Sequence, residues 1–104
     1  MSRWKVLDPQ RLKLVQRFSV PDSGVNFDNP LLPDGIYQIH SYTQAANCTG
    51  LPVKEPGIVV SMLSVSVPVQ TYIGYLATSM LIRGRVEDGT QGAKFGDWRR
   101  LAFQ

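Results

Sequence analysis

The sequence predicts a mainly β protein: a small antiparallel sheet or sandwich of about five strands, with a short N-terminal helix and an extended arm. Three observations carry this. From Pro33 onward, β-branched, aliphatic and aromatic residues run in short alternating stretches, and Gly, Pro, Asn and Asp punctuate them. Before that, a basic helical pattern gives way to a turn-rich segment with no period. At 104 residues, the chain has room for one core.

The elements follow in order. Asp8-Pro9 is a helix start, because Asp caps free amides and Pro lacks only an N–H that would be unsatisfied there. Residues 9–18 then read as a short amphipathic helix, with Leu12, Leu14, Val15 and Phe18 against Arg11, Lys13 and Arg17. A helix this short is marginal alone and needs a surface. The stretch Pro21 to Pro33 is dense in turn residues and reads as a wrapping arm anchored by Val25, Phe27, Leu31 and Leu32. The expected organisation is an attachment arm over residues 1–30 and a β domain over 31–104.

Within the β domain, Pro33-Asp34-Gly35 is a turn signal and Ile36 to Tyr42 is a strand. Thr43 to Gly57 reads as a long loop. Strands are expected at Ile58 to Ser66, Val69 to Leu76 and Met80 to Val86. In the second of these, Val69, Thr71 and Ile73 share one face, and Gln70, Tyr72 and Gly74 share the other. Glu87 to Gly96 reads as a glycine-rich hairpin loop, and Trp98 to Phe103 as the closing strand.

Composition narrows the function. A single cysteine, Cys48, cannot form an internal disulfide, and one histidine with one cysteine cannot build a structural zinc site. There is no long apolar run of the kind that spans a membrane, and Asp8-Pro9 interrupts any signal-like start. Synthesis in a cytoplasm, or assembly there into a particle, is expected. Net charge is +3, and its placement is uneven. Residues 1–18 hold five basic residues against Asp8, whereas the remainder holds six basic against seven acidic. The basic segment is either a solvated helix face or a docking arm for an acidic surface or for nucleic-acid phosphate.

The ordered series Leu32-Pro33-Asp34-Gly35-Ile36-Tyr37, Gly57-Ile58-Val59-Val60, Gln70 with Tyr72, Ile82-Arg83 and Phe95-Gly96-Asp97-Trp98-Arg99-Arg100-Leu101 is similar to the pyocin-knob domain of tail fibres of bacteriophages and R-type pyocins. The resemblance covers about residues 28–104. Two positions depart from the pattern: Phe95 stands where the closing motif has its first tryptophan, and Ile36 where an aromatic follows the glycine.

The resemblance implies a non-enzymatic, trimeric structural component of a phage tail, either a tail fibre or a knob protein at the tail tip or baseplate. It implies structural roles for Gly35, Tyr37, Trp98 and Leu101. Docking or oligomer contacts are expected at Arg11, Leu12, Leu14, Val15 and Phe18. The implied partners are other tail or fibre proteins and two further copies of the chain, with a host-surface glycan or receptor beyond them. The implied location is the virion tail.

No catalytic, cofactor or metal constellation is visible. His40 lacks a nucleophile and an orienting carboxylate in any recognisable arrangement, and reads as a half-exposed strand residue. The glycines from Gly84 to Gly96 fit hairpin geometry and no phosphate-binding motif. Asn47-Cys48-Thr49 fits a glycosylation acceptor only in a secretory pathway. Cys48 has no thiolate-stabilising neighbour in sequence. Trp98 reads as a core plug against Tyr37 rather than an open stacking platform. Two alternatives remain. Arg83, Arg85, Arg99 and Arg100, interleaved with Tyr42, Tyr72 and Tyr75, would suit a basic β-barrel binding single-stranded nucleic acid. Trp98 and the tyrosines would suit a carbohydrate-binding module.

Overall fold

The computed structural model describes residues 16–64, 68–76, 79–87 and 93–101. Seven strands and one short helix make up this part of the chain: β1 (Arg17–Ser19), β2 (Gly35–Ile39), α1 (Tyr42–Asn47), β3 (Gly57–Met62), β4 (Val69–Gly74), β5 (Met80–Glu87), β6 (Ala93–Phe95) and β7 (Arg99–Arg100). They form one mixed, open sheet. The order runs β1-β2-β3-β4-β5, and β6 and β7 both pair with the far edge of β5. From β2 onward all pairings are antiparallel, whereas β1 lies parallel to β2.

The parallel pair explains the turn-rich segment. Parallel neighbours need a long crossover, since the chain must return to the starting end. Residues 20–34 make that return across one face of the sheet. They carry Val20 and Phe27 into the core, where both are almost wholly buried. Asn26 and Thr49 form an isolated parallel bridge that ties the crossover to the loop after α1.

Alternation then decides the rest. Tyr37 and Ile39 of β2, Val59 of β3, Tyr72 of β4 and Leu81 of β5 point to one side and are buried. The crossover, α1 (through Ala45 and Cys48), Leu51, Val53 and Trp98 pack against them and close this inner face. Ile36, Ile58, Val60, Val69, Ile73, Met80 and Ile82 point to the other side. All seven are half-buried, and none belongs to the core cluster.

Several sequence expectations need correction. The helix expected over 9–18 does not extend through its end: Arg17 and Phe18 are in β1, where β2 supplies a strand partner that no local pattern reveals. Residues 9–15 of that helix, with Arg11, Leu12, Leu14 and Val15, lie outside the described residues. β1, Val20 and Phe27, all within the stretch expected as arm, are part of the sheet and its core. The loop expected from Thr43 contains α1, capped by Ser41, whose Oγ accepts from the Gln44 N–H at 3.2 Å. The expected hairpin loop over 87–96 contains β6; of the closing strand expected over Trp98 to Phe103, Arg99–Arg100 form β7, and residues 102–103 lie outside the described residues.

Candidate functional site

Two features distinguish this sheet: a polar row buried beneath the crossover, and an aliphatic face left open. The row comes from register. Ser61 of β3 pairs with Gln70 of β4, and Gln70 pairs with Arg83 of β5. Their side chains therefore stand side by side on the inner face. Ser61 and Gln70 have no exposed surface, and Arg83 is 6% exposed.

Buried polar groups are tolerable only when partnered, and these are. Gln70 Nε2 donates to Ser61 Oγ at 3.1 Å and to the Phe27 carbonyl at 3.0 Å. Gln70 Oε1 accepts from Arg83 Nε at 2.8 Å. Arg83 Nη2 donates to the same Phe27 carbonyl at 2.9 Å, and Nη1 pairs with Asp28 Oδ1 at 2.9 Å. The Phe27 N–H donates to the Thr49 carbonyl at 2.8 Å. Phe27 is thus fixed through ring, N–H and carbonyl, and the crossover is fixed with it. Burial pulls the Arg83 guanidinium below its usual pKa, while the hydrogen bond and charge of Asp28 oppose this.

Two aromatic rings flank the guanidinium. The Arg83 carbon lies 4.1 Å from the Phe95 ring centre and 4.6 Å from that of Trp98, the distances of cation–π contacts. Residues three apart in a regular strand face opposite sides. Here a β-bulge places both rings on one side. Arg85 pairs with Phe95 and Ile82 with Arg99, so the three residues 96–98 stand opposite Arg83 and Gly84 alone. Trp98 Nε1 also donates to the Gly50 carbonyl at 2.9 Å. Gly50 needs to be glycine: its φ is +85°, and a Cβ there would lie 2.6 Å from Asp28 Oδ1.

The remaining motif residues fall into place. Tyr37 stacks on Phe18 with ring centres 4.7 Å apart, meets Phe27 edge-on, and donates its hydroxyl to the Pro33 carbonyl. Gly35 lies so close to β1 that a Cβ would sit 2.6 Å from the Gln16 carbonyl oxygen and 2.8 Å from the Phe18 ring. Trp98, half-buried, packs against the core; its described aromatic-cation partner is Arg83, and the rings against Tyr37 are Phe18 and Phe27. Leu101 is exposed, and its N–H donates to the Met80 carbonyl at 2.9 Å. His40 is exposed just past β2. Cys48 is buried, with Sγ accepting from the Val25 N–H.

The four-arginine patch does not form as one surface. Arg83 is spent inside on Asp28, Gln70 and Phe27, whereas Arg99 stands beside Ile82 on the outer side. Among the described residues, no group of three or more His, Cys, Asp or Glu could hold a metal ion. No helix among them is long and apolar enough to cross a membrane.

The outer face is the second feature. Its rows run Ile36–Val60–Thr71–Ile82 and Gln38–Ile58–Ile73–Met80. Next to them, opposite Val69, Gly84 carries no side chain, and a hollow of about 400 Å³ opens there, rimmed by Pro68, Ile82, Asp97 and Arg99.

No family model matches this chain. No curated protein matches it either. Two solved structures do. An N-truncated R2-type pyocin tail fibre aligns with a TM-score of 0.67 and 24% identity, over 86% of this chain and 33% of that one. An R2 pyocin fibre of P. aeruginosa, comprising its C-terminal residues, aligns equally well over 86% of this chain and 22% of its own. The chain therefore has the fold of a segment of these fibres, and it spans a third or less of their length.

Proposed function

We propose that this chain is a non-enzymatic structural module of a phage-type tail, built into or onto a fibre, tail tip or baseplate. Its copies pack as a homotrimer through the outer sheet face. Its leading basic segment, with Arg11, Leu12, Leu14 and Val15, docks on another tail protein, and the assembled module contributes to contact with the host surface. The carrying observation is the open aliphatic face on a fibre-type fold: seven aliphatic or Met side chains that no element of the described chain covers. Contiguous apolar surface of this kind marks a site of association. The hollow at Gly84 supplies a socket in that face for a side chain of the neighbouring copy. Virion incorporation and assembly in the host cytoplasm follow from the same reading.

Light scattering on a sizing column tests it. Three chains of 11.6 kDa give about 35 kDa. Replacing Val60 with Lys should return the protein to monomer with its fold intact. A wild-type monomer that remains monomeric when mixed with its tail partner would sink the packing role. Deleting residues 1–15 tests the arm separately: the truncated module should keep its own mass and lose incorporation into particles.

A further inference from the structure

A second hollow, of about 490 Å³, opens where β2 begins and β3 finishes. It is lined by residues 30–33, Asp34, Leu63 and Ser64. Two prolines and three leucines make its walls apolar, and among the described residues that line it Asp34 alone is charged. Leu31, on its rim, is 85% exposed, more than any other large hydrophobic among the described residues.

Both walls are held. Asn29 fixes the first: its Oδ1 accepts from the Leu31 N–H at 2.9 Å, and its carbonyl from the Leu32 N–H at 3.1 Å. Prolines at 30 and 33 restrict the same stretch further. Asp34 fixes the second wall. Its Oδ1 accepts from the Leu63 N–H at 2.7 Å and the Ser64 N–H at 3.2 Å, and the Ser64 hydroxyl donates to its other oxygen. A rigid turn thus holds a leucine out in water beside an apolar hollow that is already shaped, an arrangement suited to receiving apolar side chains.

The chain enters the sheet at this end. The Gln16 carbonyl accepts from the Ile36 N–H at 2.8 Å, and a Cβ on Gly35 would lie 2.6 Å from the same oxygen. Gln16 is therefore beside the residue that follows Asp34. The five residues before it are Arg11, Leu12, Lys13, Leu14 and Val15, three apolar and two basic. Leu12 is four residues from Gln16, a reach of up to about 14 Å. Composition, charge and starting point all match the hollow.

We infer that this hollow seats the root of the chain's own leading segment, taking apolar side chains from Leu12, Leu14 and Val15 while Arg11 or Lys13 meets the Asp34 carboxylate. The inference rests on the reading of residues 1–15 as a docking arm and adds where that arm is anchored. The module itself then sets the direction in which residues 1–10 leave for their partner.

Amide hydrogen exchange followed by NMR on the full chain tests this. Amides of residues 12–15 should exchange at least about tenfold more slowly than an unprotected chain. Leu31→Arg sets a cation against the basic segment and removes part of the wall; it should abolish that protection and leave the Val59 and Tyr72 amides unchanged. Leu31→Met keeps the wall apolar and should keep the protection. Unprotected exchange at residues 12–15, or protection that survives Leu31→Arg, would overturn the inference. So would protection that disappears in the Val60→Lys monomer, which would assign the segment to a neighbouring copy. Particle incorporation after deletion of residues 1–15 reports on the arm reading separately: lost incorporation with unprotected amides sinks only the seat, and normal incorporation with protected amides sinks only the arm.

Discussion

The two faces of this sheet come from the same strands and solve opposite problems. The inner face is chemically mixed: Tyr37, Val59 and Tyr72 alternate along the strands with Ser61, Gln70 and Arg83, and that polar row is partnered, whereas Arg85 Nε, further along the same face of β5, is buried with no partner among the described residues. The outer face is mostly aliphatic and half-buried, and no described strand or helix packs on it. Hydrophobicity alone would bury the wrong side. The inner side is the buried one because the crossover brings Asp28 and the Phe27 carbonyl to meet the polar row, and those contacts specify where the crossover sits. What the difference teaches is a division of labour: inner contacts hold the fold, and the outer face is the surface on which the proposed packing of copies rests.

The sharpest way to break that comparison is at Arg83. Arg83→Ala strands Gln70 Oε1, leaves Asp28 unpaired and opens the space between Phe95 and Trp98. It should cost about 2–4 kcal/mol in urea unfolding, from the buried acceptors left unsatisfied and the space opened between the rings; the Asp28 end adds little, because that side chain is half exposed. Arg83→Lys should recover little, since a point charge cannot bond Gln70, Phe27 and Asp28 together. A loss under about 1 kcal/mol would place the row among incidental contacts. Next is Gly50→Ala, which meets both a left-handed backbone and the Asp28 carboxylate. About 1–3 kcal/mol is expected, without change in molar mass.

Tyr72 sharpens the comparison through pH. Its hydroxyl donates to the Glu55 carbonyl at 2.9 Å, and burial, aided by the Glu55 and Tyr42 charges, pushes its pKa up to about 12. The folded state thus holds this proton more tightly than the unfolded chain, whose tyrosine titrates near 10. Its contribution is complete below pH 10 and is lost as pH rises toward 12. Tyrosinate absorbance should show Tyr72 among the late-titrating groups, with Tyr37 and Tyr42 also raised above the usual tyrosine value. Tyr72→Phe should flatten the alkaline loss while costing about 1 kcal/mol at neutral pH.

The smallest effect on the monomer belongs to the outer face. Val60→Lys should change monomer stability by no more than about 1 kcal/mol while abolishing self-association. If it unfolds the chain, the outer face is holding the monomer, and the division of labour fails.

Much of the sheet was legible. The alternating runs at Ile58, Val69 and Met80 are local, and strand periodicity is a local signal. β1 was not legible, because three residues carry too little pattern and its partner lies beyond the crossover. α1 is also short, but Ser41 and Gln44 have the spacing of a capping box, which would have marked its start. The Arg83–Asp28 pair could not be read from either residue, since their meeting depends on the route of the crossover. Its signal was the parity: Gln70, Tyr72, Leu81 and Arg83 share a face, and an arginine among core positions needs an acceptor from elsewhere.

The bulge at residues 96–98 has a consequence for changes in chain length. The added residue lets two aromatics with two residues between them share a face. Deleting Asp97 would restore unbroken pairing along β5, with Phe95 opposite Arg85 and the tryptophan opposite Arg83, so both rings would still reach the guanidinium. Deleting a residue within β5 would instead turn every later side chain of that strand over and send the arginine into solvent. The closing stretch is thus a place where the gene could gain or lose one codon without losing the fold, and the strand beside it is not.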